Sequence, residues 1–274
     1  MGQKIQYRPD LYLGESISGK KLDKKGNAFV CGGGHSFDLA RQGYVNLLPV
    51  SGKKSENPGD NAVMTECRRK FLESGAYAPL RDFLCEELKK YRPQTVLDCG
   101  CAEGYYTRAL AEKFPCVFGF DISKVAVRLA AGADKKATYF VASAFSLPVR
   151  DSSCDALTRI FAPDAPEEFL RVLKTGGVFL EVVPGKDHLI ELKEILYEEV
   201  RPNKIPPRER KGMRLKEEEI VSYPFDPEAE TRLALYGMTP YAYKTGRRGE
   251  EKLAAAPVCP ITAEFIVRTY IKDQ

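Results

Sequence analysis

The residues best able to do chemistry stand close together in one stretch, Asp98-Cys99-Gly100-Cys101-Ala102-Glu103-Gly104, between an apolar run and an amphipathic one. Glycine at 100 lets the chain turn sharply, and glycine at 104 lets backbone come close to a ligand. At the end of the next apolar run stands Asp121. A carboxylate there can accept hydrogen bonds from both hydroxyls of a ribose. At the end of a third run, Ala142 and Ser143 are placed to meet the edge of an adenine ring. A dinucleotide fingerprint needs Gly-x-Gly-x-x-Gly, with a pyrophosphate facing the helix N-terminus. Here the middle position is Ala102, and Glu103 lies at the helix start, where its charge would repel a pyrophosphate. The same charge favours the amino group and sulfonium of S-adenosylmethionine, which is the cofactor the loop predicts. A glycine turn that binds nothing is the alternative.

Strand ends must hold these groups. Short apolar runs at 95–99, 116–121, 138–143, 154–161 and 177–183 read as strands, with helices at 104–114, 123–132 and 166–174. That alternation predicts βαβ units, a parallel doubly wound sheet and right-handed crossovers: an α/β fold. A helix at about 187–200, a strand near 220, a helix near 226–236 and a strand at 262–271 complete it. Ahead of the sheet, 62–91 reads as two helices broken at Gly75, covering one edge, and 51–61 as a loop. The divisions expected are 1–50, 51–92 and 93–274.

Composition narrows the class. With 274 residues, 43% hydrophobic and 29% charged, the chain suits one large α/β domain with a small module attached, and collagen, coiled coil and wholesale disorder are excluded. No apolar run approaches the roughly 18–20 residues of a membrane span. The opening Met-Gly-Gln-Lys-Ile-Gln lacks a signal-peptide core, so a cytoplasmic address and no membrane partner are expected. The eight cysteines include no Cys-x-x-Cys pair and read as small reduced core residues. Residues 201–216 hold seven Lys or Arg against Glu209 alone. They are either a solvated loop or a strip that tracks phosphates.

From about residue 29 onward the chain resembles the RlmA family of 23S rRNA guanine-N1 methyltransferases. The resemblance rests on HSFDLARQGYVNLLPV (35–50), NPGDNAVM (57–64), VLDCGCAEGYYT (96–107), FGFDISKVAV (118–127), VASAFSLP (141–148), RIFAP (159–163) and PGKDHLIELKEILYEEV (184–200). It implies a class I S-adenosylmethionine-dependent methyltransferase, with a Rossmann-like doubly wound sheet and a small N-terminal zinc-ribbon-like module that recognises RNA. It also implies that Tyr77, Glu103, Gly104 and His188 hold the cofactor, alongside Asp98, Gly100, Asp121 and Ser143 from the residue reading. At the N-terminus the chain departs from the family. Cys31 and His35 match half of the zinc set, while Glu15 and Ser18 stand where two cysteines belong. A structural zinc site wants four N or S ligands, so no stoichiometric zinc is expected.

The implied reaction joins guanine N1 of a domain II hairpin in 23S rRNA to the methyl carbon, with a thioether leaving. The guanine must present its Watson–Crick edge, extruded and stacked on an aromatic ring. Phe161 is the candidate ring. Asp164 is the candidate to receive the N1 proton or grip the exocyclic amine, with a helix N-cap as its bland alternative. Tyr105 and Tyr106 are further candidates to face the pocket, with helix packing the alternative for one of them. A small-molecule methyltransferase and a non-catalytic RNA-binding protein are the competing functions. Monomer and homodimer are both left open.

Overall fold

The computed structural model describes residues 22–48, 59 and 61–273. The chain begins there with an antiparallel three-stranded sheet of β1 (Leu22–Lys25), β2 (Ala28–Cys31) and β3 (Ser36–Asp38). The Cys31-to-His35 turn is closed by Gly34 N donating to Cys31 O and Cys31 N donating to His35 O, both at 3.0 Å. Strand β4 (Tyr44–Asn46) then leaves this small sheet and joins the large one.

Two helices follow, α1 (Ala62–Glu73) and α2 (Ala78–Lys89). Asn61 caps α1 by accepting from Met64 N at 2.9 Å, and Gly75, at φ +84°, makes the break between the helices. Next come β5 (Thr95–Cys99), α3 (Tyr105–Ala111), β6 (Cys116–Asp121), α4 (Lys124–Ala133) and β7 (Thr138–Val141). Strand β8 (Cys154–Ile160), α5 (Pro166–Val172), β9 (Leu173–Pro184) and α6 (Ile190–Leu196) lead to β10 (Met213–Phe225). The final elements are α7 (Ala229–Met238), α8 (Pro240–Ala255) and β11 (Ile261–Lys272).

The eight-stranded sheet runs β10-β11-β9-β8-β5-β6-β7-β4. Pairings from β4 to β9 are parallel, whereas β11 is antiparallel to both β9 and β10. Strand β5 sits centrally and every residue in it is buried, as expected for a parallel strand covered on both faces. The strand order reverses between β5 and β8. A crevice at the carboxyl ends of strands beside such a switch point is where an open α/β sheet binds its ligand.

One face of the sheet packs against helices through Leu80, Leu84, Val127, Leu192 and Leu235. The other face carries Leu97, Phe118, Phe120, Phe140 and Phe179, and α5 covers only part of it with Phe169 and Val172. Leu22, Phe29, Cys31, Val45 and Leu47 of the N-terminal module join the same core. Burying each large side chain there stabilises by about 1.5–3 kcal/mol, so the described part of the module is held by packing on the sheet. Among the described residues no helix is long and apolar enough to cross a membrane.

The expected α/β alternation is present, with helix ends drawn in by a few residues. Helix α8 was not expected. Gly246 and Gly249 interrupt its sequence pattern, and Gly246 is kinked out of helical geometry at φ +52°, ψ −142°. Its start nevertheless follows a recognisable rule, with Pro240 in the first turn after Thr239.

Candidate active site

A cleft of about 510 Å³ opens at the carboxyl ends of β5, β6, β8 and β9, roofed by α1 and by residues 238–241. Tyr77, Asp98, Gly100, Glu103, Asp121, Phe161 and His188 all line it. Residues far apart in sequence are therefore brought together.

The glycine loop forms the floor. Gly100 has φ +76°, and a Cβ there would come within 2.4 Å of Ala162 Cβ, so glycine is what lets this loop pass the 160–163 loop. Ala102 is also left-handed, at φ 46°. Its amide donates to Asp121 Oδ2 at 3.1 Å, and Ser123 N donates to Asp121 Oδ1 at 2.8 Å. Two backbone groups thus aim the Asp121 carboxylate. Asp98 is braced more tightly. It accepts from Thr107 Oγ1 at 2.5 Å and Thr158 Oγ1 at 2.7 Å, tying β5 to α3 and β8. Burial pushes its carboxyl up to about 6, against the pull of both threonines.

Glu103 is the group with an unmet need. It is 3% exposed, and its Oε2 has no hydrogen-bond partner among the described residues. Burial pushes this carboxyl up to about 7, opposed by the nearby Arg68 guanidinium. On the opposite wall His188 Nδ1 accepts from Glu264 N at 3.2 Å. The imidazole proton is therefore on Nε2, which donates to the Tyr77 hydroxyl at 3.2 Å. Burial drives the His188 pKa down to about 3, so the ring is neutral. The Tyr77 hydroxyl hydrogen is left for the cleft.

At the mouth, Phe161 is 43% exposed and left-handed at φ 54°, a conformation that costs a bulky residue energy. Its ring stacks on His188 with centroids 6.0 Å apart. Arg159 supports this loop from below, donating Nη1–H to Ala162 O at 2.5 Å while paired with the buried Glu181. Arg210 pairs with Glu181 and also grips Asp164 through both terminal nitrogens, at 3.0 and 3.1 Å.

Two family models match this arrangement: the RlmA N-terminal model over residues 17–56 and a methyltransferase-domain model over residues 96–177. The chain is thus similar to the RlmA N-terminal family at one end and to methyltransferase domains over its central strands. It is 39% identical over 173 residues to the 23S rRNA (guanine(748)-N(1))-methyltransferase of Streptomyces fradiae, covering 61% of each chain. Two further relatives, at 37% and 35% identity, are covered over 60% and 63% of their lengths. The chain thus spans about three fifths of the curated relatives it matches. Among solved structures, the YcgJ protein from Bacillus subtilis superposes with TM-score 0.51 at 17% identity, over 71% of this chain and 98% of that one. The fold is that of a class I methyltransferase.

The methyltransferase-domain residues fit S-adenosylmethionine. The cleft offers the Asp121 and Glu103 carboxylates as acceptors, and the Glu103 oxygen that lacks a hydrogen-bond partner among the described residues suits a cationic group. Three expected residues lie elsewhere. Ser143 does not line the cleft; it turns into a bridge with Ser146, its Oγ accepting from Phe145 N at 3.2 Å. Gly104 faces α4 instead, where a Cβ would come within 2.9 Å of Ala130 Cβ. Asp164 is committed to Arg210 outside the cleft, so a proton-accepting role would require that pair to open. The basic run is likewise only partly solvated, because the Arg210 side chain is largely covered and Arg208 pairs with Glu218. Residues 15 and 18 lie outside the described residues, whereas Cys31 Sγ and His35 Nδ1 lie 3.2 Å apart. Arg68 and Tyr241 line the cleft without having been singled out. Arg68 had no local motif to mark it, and Tyr241 lies on the helix hidden by its glycines.

Proposed function

We propose that this protein is an S-adenosylmethionine-dependent methyltransferase acting on N1 of a guanine in a domain II hairpin of 23S rRNA. In this reading residues 1–50 are the RNA-recognition module, 51–92 the helical cover and 93–274 the domain that transfers the methyl group. The enzyme works in the cytoplasm, where its rRNA is. The observation that carries the reading is the pair Glu103 and Asp121 on one cleft floor: a buried unpaired carboxylate suited to a cation and an aimed carboxylate suited to a ribose. Its rRNA specificity is supported by the RlmA-type module and by the name of the Streptomyces fradiae relative.

S-adenosylmethionine supplies an activated methyl group, so the protein's own task is chiefly position. Asp121 accepts the ribose hydroxyls, and Tyr77, held by His188, offers its hydroxyl hydrogen across the cleft. Phe161 presents an exposed ring face on which a flipped base can stack. Its awkward backbone is fixed by Arg159 beneath, so the ring does not have to be ordered when RNA arrives. His188 cannot serve as the base that takes the N1 proton, because its Nδ1 is occupied and its Nε2 already carries hydrogen.

The test is transfer of labelled methyl from S-adenosylmethionine to protein-free 23S rRNA, followed by nucleoside analysis. The expected product is 1-methylguanosine within domain II. Label on another base, or only in small molecules, would overturn the rRNA assignment, and no transfer at all would overturn the enzyme.

A further inference from the structure

Lys193, on α6, closes the HLIELK segment, yet it does not line the cleft. The residue is only 4% exposed, an uncommon place for an ammonium. Its Nζ donates to Asn203 Oδ1 at 2.8 Å and makes no ion pair among the described residues. Burial lowers its pKa, with the Asp187 carboxylate pulling the other way. A buried charge without a paired carboxylate costs stability, so cohesion does not account for this lysine.

Asn203 carries the connection onward. Its Nδ2 donates to Gly185 O at 2.8 Å and to His188 O at 3.3 Å, and its backbone N donates to Lys186 O at 3.1 Å. An ammonium at one end of the amide and two carbonyls at the other dictate which way it points. The turn it grips ends in Leu189, left-handed at φ 58°. That conformation is costly for a bulky residue and persists only where the surroundings hold it. His188 stands directly before Leu189, and from there its Nε2 reaches the Tyr77 hydroxyl. The Lys193 charge acts on the ring as well: after burial, it is the second cause that keeps the imidazole unprotonated.

We propose that Lys193 and Asn203 are positioning residues for the cofactor wall, together holding the 185–189 turn so that His188 meets Tyr77. The inference rests on the cofactor reading above and adds two residues that lie outside the cleft. It also gives the start of the basic run a task other than meeting phosphate, since Asn203 braces the turn just ahead of Lys204.

Nitrogen NMR of the cofactor-free protein reads the brace without reference to methyl transfer. In the wild type the His188 Nε2 proton is held by Tyr77 and should exchange slowly with water. Lys193→Met and Asn203→Ala should each speed that exchange about tenfold or more, the effect of losing a hydrogen bond to a charged group. Calorimetry should show S-adenosylmethionine bound about tenfold more weakly by both variants. Lys193→Met should nevertheless not lower the melting temperature, because it removes an unpaired buried charge. A melting temperature that falls together with cofactor affinity would mark a merely structural lysine and overturn the proposal. Unchanged exchange in both variants, or faster exchange with unchanged cofactor affinity, would overturn it too. A wild-type protein that binds no S-adenosylmethionine would instead overturn the cofactor reading, while the exchange rates still decide the brace.

Discussion

The Nε2 nitrogen of His188 lies 3.2 Å from the hydroxyl of Tyr77, joining the loop after β9 to the residue that opens α2. Because Nδ1 accepts from Glu264 N, the direction of this hydrogen bond is set, and the histidine is a neutral donor. The folded ring resists protonation down to about 3, whereas an unfolded one charges near 6.5. Between those values the unfolded chain binds the extra proton, so this residue's contribution to stability is lost as pH falls below about 6.5. Nitrogen NMR should show the His188 ring as the Nε2–H form throughout pH 5–8. A ring titrating near 6.5 would contradict the geometry.

Glu103 carries the opposite sign. Its carboxyl keeps a proton up to about 7 in the folded protein, against an ordinary value of 4.5. The folded state binds more protons across that window, so stability falls as pH rises from 4.5 to 7 and stays low above it. Arg68 and Arg108 moderate the effect and Asp121 adds to it. Without cofactor, Glu103→Gln should abolish that decline and stabilise the protein at pH 8 by about 1–3 kcal/mol. Urea titrations at pH 5 and pH 8 measure it, and a variant declining as steeply as wild type would rule it out.

Glu181 is surrounded by Arg159, Arg210 and Arg268, all largely buried. Removing the shared carboxylate takes from Arg159 its carboxylate partner, and leaves Arg210 with Asp164 and Arg268 with Glu218 while stripping each of its most buried counter-charge. Glu181→Ala should therefore destabilise by about 3–5 kcal/mol. Arg210→Ala should also lower the melting temperature, whereas replacing the exposed Lys204, Lys211 and Arg214 together should leave it unchanged and flatten the salt dependence of RNA binding. Thermal melts alongside filter binding at several salt concentrations separate the two groups. An unchanged salt slope in the triple variant would make the run a solvated loop.

Purified without chelator, the protein should contain no stoichiometric zinc. Cys31 and His35 are close enough to share an ion, but they supply half of the ligands a structural site needs, with Glu15 and Ser18 in the other two places. Packing of Leu22, Phe29 and Val45 on the sheet supplies cohesion that metal gives to smaller ribbons. Metal analysis finding one zinc per chain, lost in Cys31→Ala, would show that Glu15 or another donor completes the site.

Local patterns in the sequence carried the sheet and half of the cleft. Apolar runs ending in Asp98-to-Gly104 and in Asp121 are strand ends, and the physics that makes them strands also delivers their last residues to one crevice. Tyr77 and His188 had no local signature; their meeting is a product of packing and was readable only through family resemblance. The fate of Asp164 was hidden for a related reason. Its partner lies 46 residues away in a run of charges that reads as solvated. A clue was present in GVFLEVV at 177–183, where a lone glutamate in a buried strand demands cations from elsewhere in the chain.

Strand β4 pairs in parallel with β7, Tyr44 beside Tyr139 and Asn46 beside Val141. On a ribosome making this chain, Tyr44 emerges long before the strand it will join. The early segment can close its own β1-β2-β3 sheet, yet its apolar face must wait for Phe118, Phe120 and Phe140 to be synthesised. Docking of that face therefore cannot precede the synthesis of β6 and β7. The described part of the N-terminal module is thus seated on the large sheet by its own strand and apolar face, not only tied to it by sequence.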